Sequence, residues 1–266
     1  SQIQMDEAED LKKLRKDIVE MVYRSKEGHL PSAFSILELL YVLYGSFLKY
    51  NPKNPNSLER DVFILSKGHG SQALYAILAH YNFFERDKLF SFCKFDSPFG
   101  GHPDRNKVPG VEASTGSLGH GLPMALGIAL AFKIQNKPNK VFVLIGDGES
   151  EEGTIWESTM LALNLNLNNL VVILDKNRSQ YYAYDHDYGK IWKSFGWHTL
   201  EIKDGHNLDE IRSVLRDVTN LESDKPKMIV AHTVKGKGIS FIENNREWHH
   251  RAPNEEEYHK SMEELK

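Results

Sequence analysis

The sequence predicts an α/β fold built on a parallel sheet covered by helices on both faces. Three observations carry this. Five short apolar runs, "DVFILS", "KVFVLI", "LVVIL", "WHTLEI" and "PKMIVAHT", have the length of buried strands. Helical patterns fall between most of them, the alternation expected of a parallel sheet. The 24 residues between Ile145 and Leu170 hold one crossover helix, so those two strands can be neighbours.

The first helix is predicted over residues 8–26, where Leu11, Leu14, Ile18, Met21 and Val22 recur at helical spacing and Gly28 follows as a stop. Ser35 with Glu38 three residues on reads as a capping box opening a second helix before "LLYVLY". "NPKNPNS" (51–57) is a loop on proline and asparagine grounds. After the strand "DVFILS" come the helix "GSQALYAILAHY", a long loop region over 86–115, and the small-residue helix "LPMALGIALAFKI". "TIWESTMLALN" is a helix between the second and third strands. "NLDEIRSVLRDV" is a helix opened by Asn207, with Glu210 at its third position, before the last strand. The tail "NEEEYHKSMEELK" is a polar end, helical or frayed. Without a repeat, a low-complexity tract or a linker, the expectation is a single domain over 1–266.

The composition excludes several classes. Hydrophobic residues at 40% and charged ones at 26%, with a net charge of −4, leave no basic footprint for nucleic acid. One cysteine, Cys93, rules out a disulfide framework and a multi-cysteine zinc site. No apolar stretch is read as reaching ~18 residues and "SQIQMDEAEDLKK" lacks a signal-peptide core, so a cytoplasmic protein without a membrane partner is expected.

In an open parallel sheet, ligands bind beyond the carboxyl ends of the strands. Asp147 stands there between Gly146 and Gly148, just past "KVFVLI", and Asn177 just past "LVVILD". If the strands adjoin, a carboxylate and an amide oxygen share one crevice, a hard donor pair suited to Mg²⁺ or Ca²⁺. A diphosphate beside Asp147 would need such a cation, since like charges ~5 Å apart at an effective dielectric of ~20 repel by about 3 kcal/mol. Taken alone, Gly-Asp-Gly is equally a plain turn. A dinucleotide fingerprint fails because Glu151 stands where its third glycine belongs, and no phosphate-binding Gly-x-x-x-x-Gly-Lys-Ser/Thr loop exists. Glycine-flanked histidines form a second signal: His29, His69, His102 and His120, with the pair His249 and His250 in "EWHHRAP". A histidine zinc site lacks the His-Glu-x-x-His spacing or any comparable one.

Gly146-Asp147-Gly148, followed after 28 residues (149–176) by Asn177, resembles the thiamine diphosphate-binding motif. "EGHLPSAFS", "LSKGHGSQALYA", "GGHPD", "STGSLGHGLPMALGIALA" and "TVKGKGISFIENNREWHHRAP" then resemble transketolases in the same order, from about residue 10 to 255. The resemblance covers the diphosphate-binding (PP) domain and is similar to the N-terminal subunit of split transketolases. It implies that Asp147, Asn177 and the main-chain carbonyl of Ser179 hold Mg²⁺, with Ca²⁺ an alternative. Gly116, Ser117, Leu118 and Gly148 would lie against thiamine diphosphate by backbone contact, and His69 would bond its diphosphate. His29, His102 and His249 would face the substrate, His249 being chosen over His250. Glu152 resembles a glutamate at the family's subunit interface, whereas Glu149 and Glu151 read as solvated charges at a helix start.

The implied chemistry moves a two-carbon ketol unit from a ketose to an aldose, free or phosphorylated, with histidines moving protons. The resemblance also implies a C-terminal partner chain that supplies the pyrimidine domain, in an α₂β₂ assembly. Two other functions stay open: a condensation like that of deoxyxylulose-phosphate synthase, and a non-catalytic cofactor-holding subunit.

Overall fold

The computed structural model describes residues 1–178 and 184–266. One sheet holds β1 (Val62–Leu65), β2 (Val141–Gly146), β3 (Leu170–Lys176), β4 (His198–Ile202) and β5 (Lys227–His232). Their order is β1-β2-β3-β5-β4, every neighbouring pair parallel. All five coincide with the predicted runs. The helices are α1 (Gln2–Ser25), α2 (Leu30–Val42), α3 (Ser71–His80), α4 (Gly121–Ile134), α5 (Gly153–Asn164), α6 (Tyr188–Phe195), α7 (Leu208–Asn220) and α8 (Glu255–Glu264).

The two-residue period of a strand explains why the runs are apolar throughout. On β2, Phe142 and Leu144 enter one core with α1, α2, α3 and α7. Val141, Val143 and Ile145 enter the other, with Leu122 and Ala125 of α4, Ile155 of α5 and Trp192 of α6. Each such side chain contributes about 1.5–3 kcal/mol by burial. A polar residue at either register of β2 would therefore face a dry core.

Three details depart from the sequence expectations, and the tail takes the helical of its two expected forms. Ser35 does not open α2; the helix starts five residues earlier, with His29 at its N-cap and Pro31 in its first turn. Ser35 lies inside the helix, wholly buried, and its Oγ donates to Asp175 Oδ2 at 2.7 Å. Glu38 likewise points inward, to Arg15 and His206. The capping-box spelling thus came from buried polar contacts, which use the same residue types.

Helix α6 was not predicted at all. Tyr188, Ile191, Trp192 and Phe195 carry helical spacing, but eight residues with a glycine at the second give a weak signal. The tail is an ordered helix with a reciprocal cap between Asn254 and Glu257, and Tyr258 stacks on Tyr23 of α1 with ring centroids 4.2 Å apart. Finally, α2 runs on through a π-turn (Leu43–Phe47), making Leu30–Phe47 an 18-residue stretch apolar enough to cross a membrane. Most of that stretch is buried among α1, α3 and the sheet, so protein already covers its apolar surface.

Candidate active site

Four strands end at one crevice. Ser66 to His69 follow β1, Gly146 and Asp147 end β2, Asp175 to Asn177 end β3, and Thr233 to Lys235 follow β5. Register sets them level: Gly146 pairs with Asp175, Lys176 pairs with His232, and Asp147 N donates to Asp175 O at 3.3 Å. The cavity above them measures about 280 Å³. Its walls include His29, His69 and His249, the loop residues Gly116 and Leu118, and Gly146, Gly148 and Asn177. A larger groove of about 430 Å³ lies at the other end of the sheet, by Lys137, Lys140 and Lys227, and contains none of the motif residues.

The acid and the amide come together as the strand order requires. Asp147 is fully buried; its Oδ1 accepts from Gly148 N at 2.7 Å and its Oδ2 from Arg178 N at 2.6 Å. Arg178 is one peptide from Asn177, so the two predicted donors adjoin. Asn177 Nδ2 donates to Asp175 Oδ2 at 3.1 Å, which leaves the amide oxygen as the branch turned from Asp175. Beneath them Asp175 is held by Lys67 Nζ at 2.6 Å, both side chains buried. Removing either partner of such a pair leaves an uncompensated charge, a loss of about 3–5 kcal/mol. Ser179, the third predicted metal ligand, lies outside the described residues.

The histidines form one cluster. The His29 ring is 5.3 Å from that of His69 and 5.6 Å from that of His249, centroid to centroid. His250 stacks on His29 at 4.4 Å and pairs with Glu27 at 3.4 Å, outside the cavity wall, so His249 is the one of the two that lines it. His102 is exposed and is not in the wall; its ring packs against Gly116, where an added Cβ would lie 3.0 Å from it. With φ of +149°, Gly116 is in a conformation that no other residue readily adopts.

Burial is the main cause that keeps His29, His69 and His249 neutral. It lowers His29 to about 4, helped by the neighbouring imidazoles, and His69 to about 2, helped by Lys67. His249 is also lowered, by burial first and then by Lys235, whose Nζ is 2.9 Å from His249 Nδ1. Lys235 is itself lowered to about 8 by burial and by Lys67. An ammonium donates to that Nδ1, so the neutral ring carries its proton on Nε2 and offers a donor there.

Sequence reasoning missed several of these groups. Lys67, Lys235 and Asp175 all sit within the quoted runs, "LSKGHG", "TVKGKG" and "LVVILD", the lysines just past a strand and the aspartate at the end of one, and that position is their available signal. Glu149 is corrected outright: it is not solvated but 2% exposed, a cavity-wall residue. Glu151 and Glu152 are exposed. Ser117 is exposed and its Oγ meets His120 Nδ1 at 3.2 Å, whereas its neighbours Gly116 and Leu118 face the cavity.

Comparison with known proteins agrees with this geometry. A family profile described as "Transketolase, thiamine diphosphate binding domain" matches residues 6–265. An apulose-4-phosphate transketolase subunit from Phocaeicola vulgatus is 38% identical over 261 residues, 95% of this chain and 91% of that protein. The 6-deoxy-6-sulfo-D-fructose transketolase subunit SqwG of a Clostridium species is 37% identical, covering 100% of this chain and 98% of its own length. Among solved structures, transketolase from Leishmania mexicana superposes with a TM-score of 0.88 at 30% identity over 97% of this chain. That of Campylobacter jejuni gives 0.87 at 31% identity over 97%. The chain spans 41% and 42% of the length of those two solved proteins. It belongs to the transketolase family, as the family's thiamine diphosphate-binding domain.

Proposed function

We propose that this chain, acting as one domain over 1–266, is the N-terminal, cofactor-binding subunit of a two-chain transketolase. It would hold thiamine diphosphate through Mg²⁺ and transfer a two-carbon ketol unit between sugars or sugar phosphates. What carries the assignment is the meeting of Asn177 and three neutral histidines in one cavity at the carboxyl ends of neighbouring parallel strands, with Asp147 buried directly beside Asn177 through its bond to Arg178 N.

The residues fit the cofactor's diphosphate and its metal. Asp147 and Asn177 offer hard oxygen donors, and Ca²⁺ would be accepted by the same chemistry. Lys67 lines the same cavity and brings a buried ammonium to it, a charge that suits a diphosphate. Gly146 and Gly148 add no side chain between the metal donors and the cavity. His69 would donate to the diphosphate, while the backbone of 116–118 and Gly148 would pack along it.

Thiamine diphosphate, when bound, supplies the carbon centre that carries the two-carbon unit. The chain's own part is to orient the sugar and move protons on its hydroxyls. His29 and His249, neutral at pH 7, are equipped for this, with His102 at the rim; such help is worth about 10²–10⁴-fold.

A partner is supported by the exposed surface and by the relatives. Met124 and Ile134 of α4 and Met160 and Leu161 of α5 are exposed, and the two helices pack side by side, giving an apolar surface that a second chain would cover. The two relatives with matching length are both named as subunits. We assign a C-terminal chain carrying the pyrimidine domain, in an α₂β₂ assembly. The substrate class extends from ordinary pentose phosphates to modified sugars of the kind named for those relatives.

Ketol transfer is to be assayed with the chain alone and with its partner, alongside calorimetry with thiamine diphosphate and Mg²⁺. Transfer is expected only in the mixture, which should also bind the cofactor. Robust transfer by the chain alone would overturn the two-chain assignment, and a mixture that binds no cofactor would overturn the function itself.

A further inference from the structure

The turn after β2 buries a carboxylate that the chemistry above does not use. Glu149 is 2% exposed, and three donors converge on it from three segments. Ser66 Oγ, just past β1, donates to Oε2 at 2.6 Å. Gly119 N, in the glycine loop, donates to the same oxygen at 2.7 Å. Gly146 N, at the end of β2, donates to Oε1 at 3.0 Å. The glycine loop is tied a second time, because Thr154 Oγ1 donates to Gly119 O at 2.9 Å. Gly119 has φ of +87°, and a Cβ there would lie 2.3 Å from Thr154 Oγ1 and 2.9 Å from the Glu152 side chain, so the loop leaves no room to shift.

We propose that Glu149 is the positioning residue that pre-forms the 116–119 loop as a cofactor cradle, clamping it to the ends of β1 and β2 before any ligand arrives. The inference rests on the function proposed above for what the cradle receives, but the clamp itself is a property of this chain. The loop presents Gly116 and Leu118 to the cavity and has few anchors of its own, since its residues lie in neither helix nor strand. Without a clamp, its ordering would be charged against ligand binding. A carboxylate suits the task better than an amide. Both its oxygens accept, and the three donors are two backbone N–H groups and a hydroxyl. A glutamine in the same place keeps one accepting oxygen and turns an NH₂ group toward an N–H donor.

Hydrogen–deuterium exchange on the full-length chain without cofactor tests the clamp. Calorimetry with thiamine diphosphate and Mg²⁺, in the presence of the C-terminal partner, tests its consequence. In the native chain, segment 114–122 should be protected from exchange. Glu149→Gln should lose that protection locally while β1, β2 and β3 keep theirs, and cofactor affinity should fall on the order of ten- to a hundredfold. Ser66→Ala removes one of the three donors and keeps the carboxylate. It should give the same pattern at smaller amplitude, and it carries the test if Glu149→Gln fails to fold.

Protection of 114–122 unchanged in both variants would overturn the proposal. So would a loss of protection spread evenly over the sheet, which would mark Glu149 as a general stability residue. If the native chain and its partner bind no thiamine diphosphate, the proposed function fails, and exchange in 114–122 still decides whether the clamp exists.

Discussion

Lys235 Nζ lies 2.9 Å from His249 Nδ1, so two groups that can each carry a positive charge share one hydrogen bond. The contact holds only while the imidazole is neutral. Burial lowers His249 first and Lys235 lowers it further. Lys235→Met keeps the aliphatic stem and removes the charge. The His249 titration, followed by imidazole NMR, should then move upward yet stay below the ordinary ~6.5, because burial remains. An unmoved titration would show that the two side chains do not interact in solution.

The same cluster sets a pH dependence of stability. His29 is lowered to about 4 and His69 to about 2, with burial the leading cause in both, against ~6.5 for an unfolded imidazole. Below ~6.5 the unfolded chain therefore binds more protons than the folded one, and stability falls as pH falls. The contribution is fully present above ~6.5 and is lost from there down to about 4 for His29, and lower still for His69. Thermal denaturation should show Tm dropping between pH 7 and pH 5, and His69→Gln should flatten that slope.

Asp147→Ala should abolish metal-dependent binding of thiamine diphosphate in the assembled enzyme, read by calorimetry with and without Mg²⁺. On the proposed assignment the carboxylate would hold the cation against the diphosphate, and its loss also frees Gly148 N and Arg178 N from their acceptor. His102→Ala is the contrast. Its ring is at the rim and not in the cavity wall, so affinity should be spared while kcat falls, by up to the ~10²–10⁴-fold of a proton-transfer group. A large loss of affinity in His102→Ala would mean that its packing on Gly116 matters more than its chemistry.

The strands were legible because each is a short run of apolar, often β-branched residues, and a sheet buried on both faces needs nothing subtler. Asp147 and Asn177 were legible because each follows such a run directly, and a parallel sheet puts strand ends together. Glu149, Ser35 and Glu38 were misread for one shared reason. A glutamate behind a turn or a serine before a helical run has a local meaning, as solvated charge or cap, and a long-range one, as a buried acceptor or donor. Only the partner decides between them: Ser66 and Gly119 for Glu149, Asp175 for Ser35, Arg15 for Glu38. Those partners lie between 23 and 140 residues away in sequence, beyond the reach of any local pattern. Lys67 and Lys235 carry no local mark that separates them from solvated lysines, because their partners, Asp175 and His249, lie 108 and 14 residues away.

Glu38 joins three parts of the molecule. Its oxygens accept from Arg15 Nη1 at 2.6 Å and Nη2 at 2.8 Å, and His206 Nδ1 lies 2.6 Å from Oε1. His206 Nε2 accepts from Val234 N at 2.9 Å, so the ring is the neutral tautomer with its proton on Nδ1, donating to Glu38. Arg15 Nε in turn donates to Lys237 O at 2.8 Å. Val234 and Lys237 flank Lys235, so the cluster fixes the segment that brings Lys235 and His249 to the site. Burial alone would raise the Glu38 carboxyl, but Arg15 and His206 overcome it and hold it at about 2. Glu38→Ala would strand the Arg15 guanidinium in the core and should cost about 3–5 kcal/mol in a denaturant titration. Arg15→Met combined with Glu38→Leu removes both charges and should recover most of that loss. The double variant still lacks the ties to His206 and Lys237, so its His249 titration should broaden or shift even where stability returns. Recovery of stability with an unchanged His249 would show that the segment holds its place without the cluster.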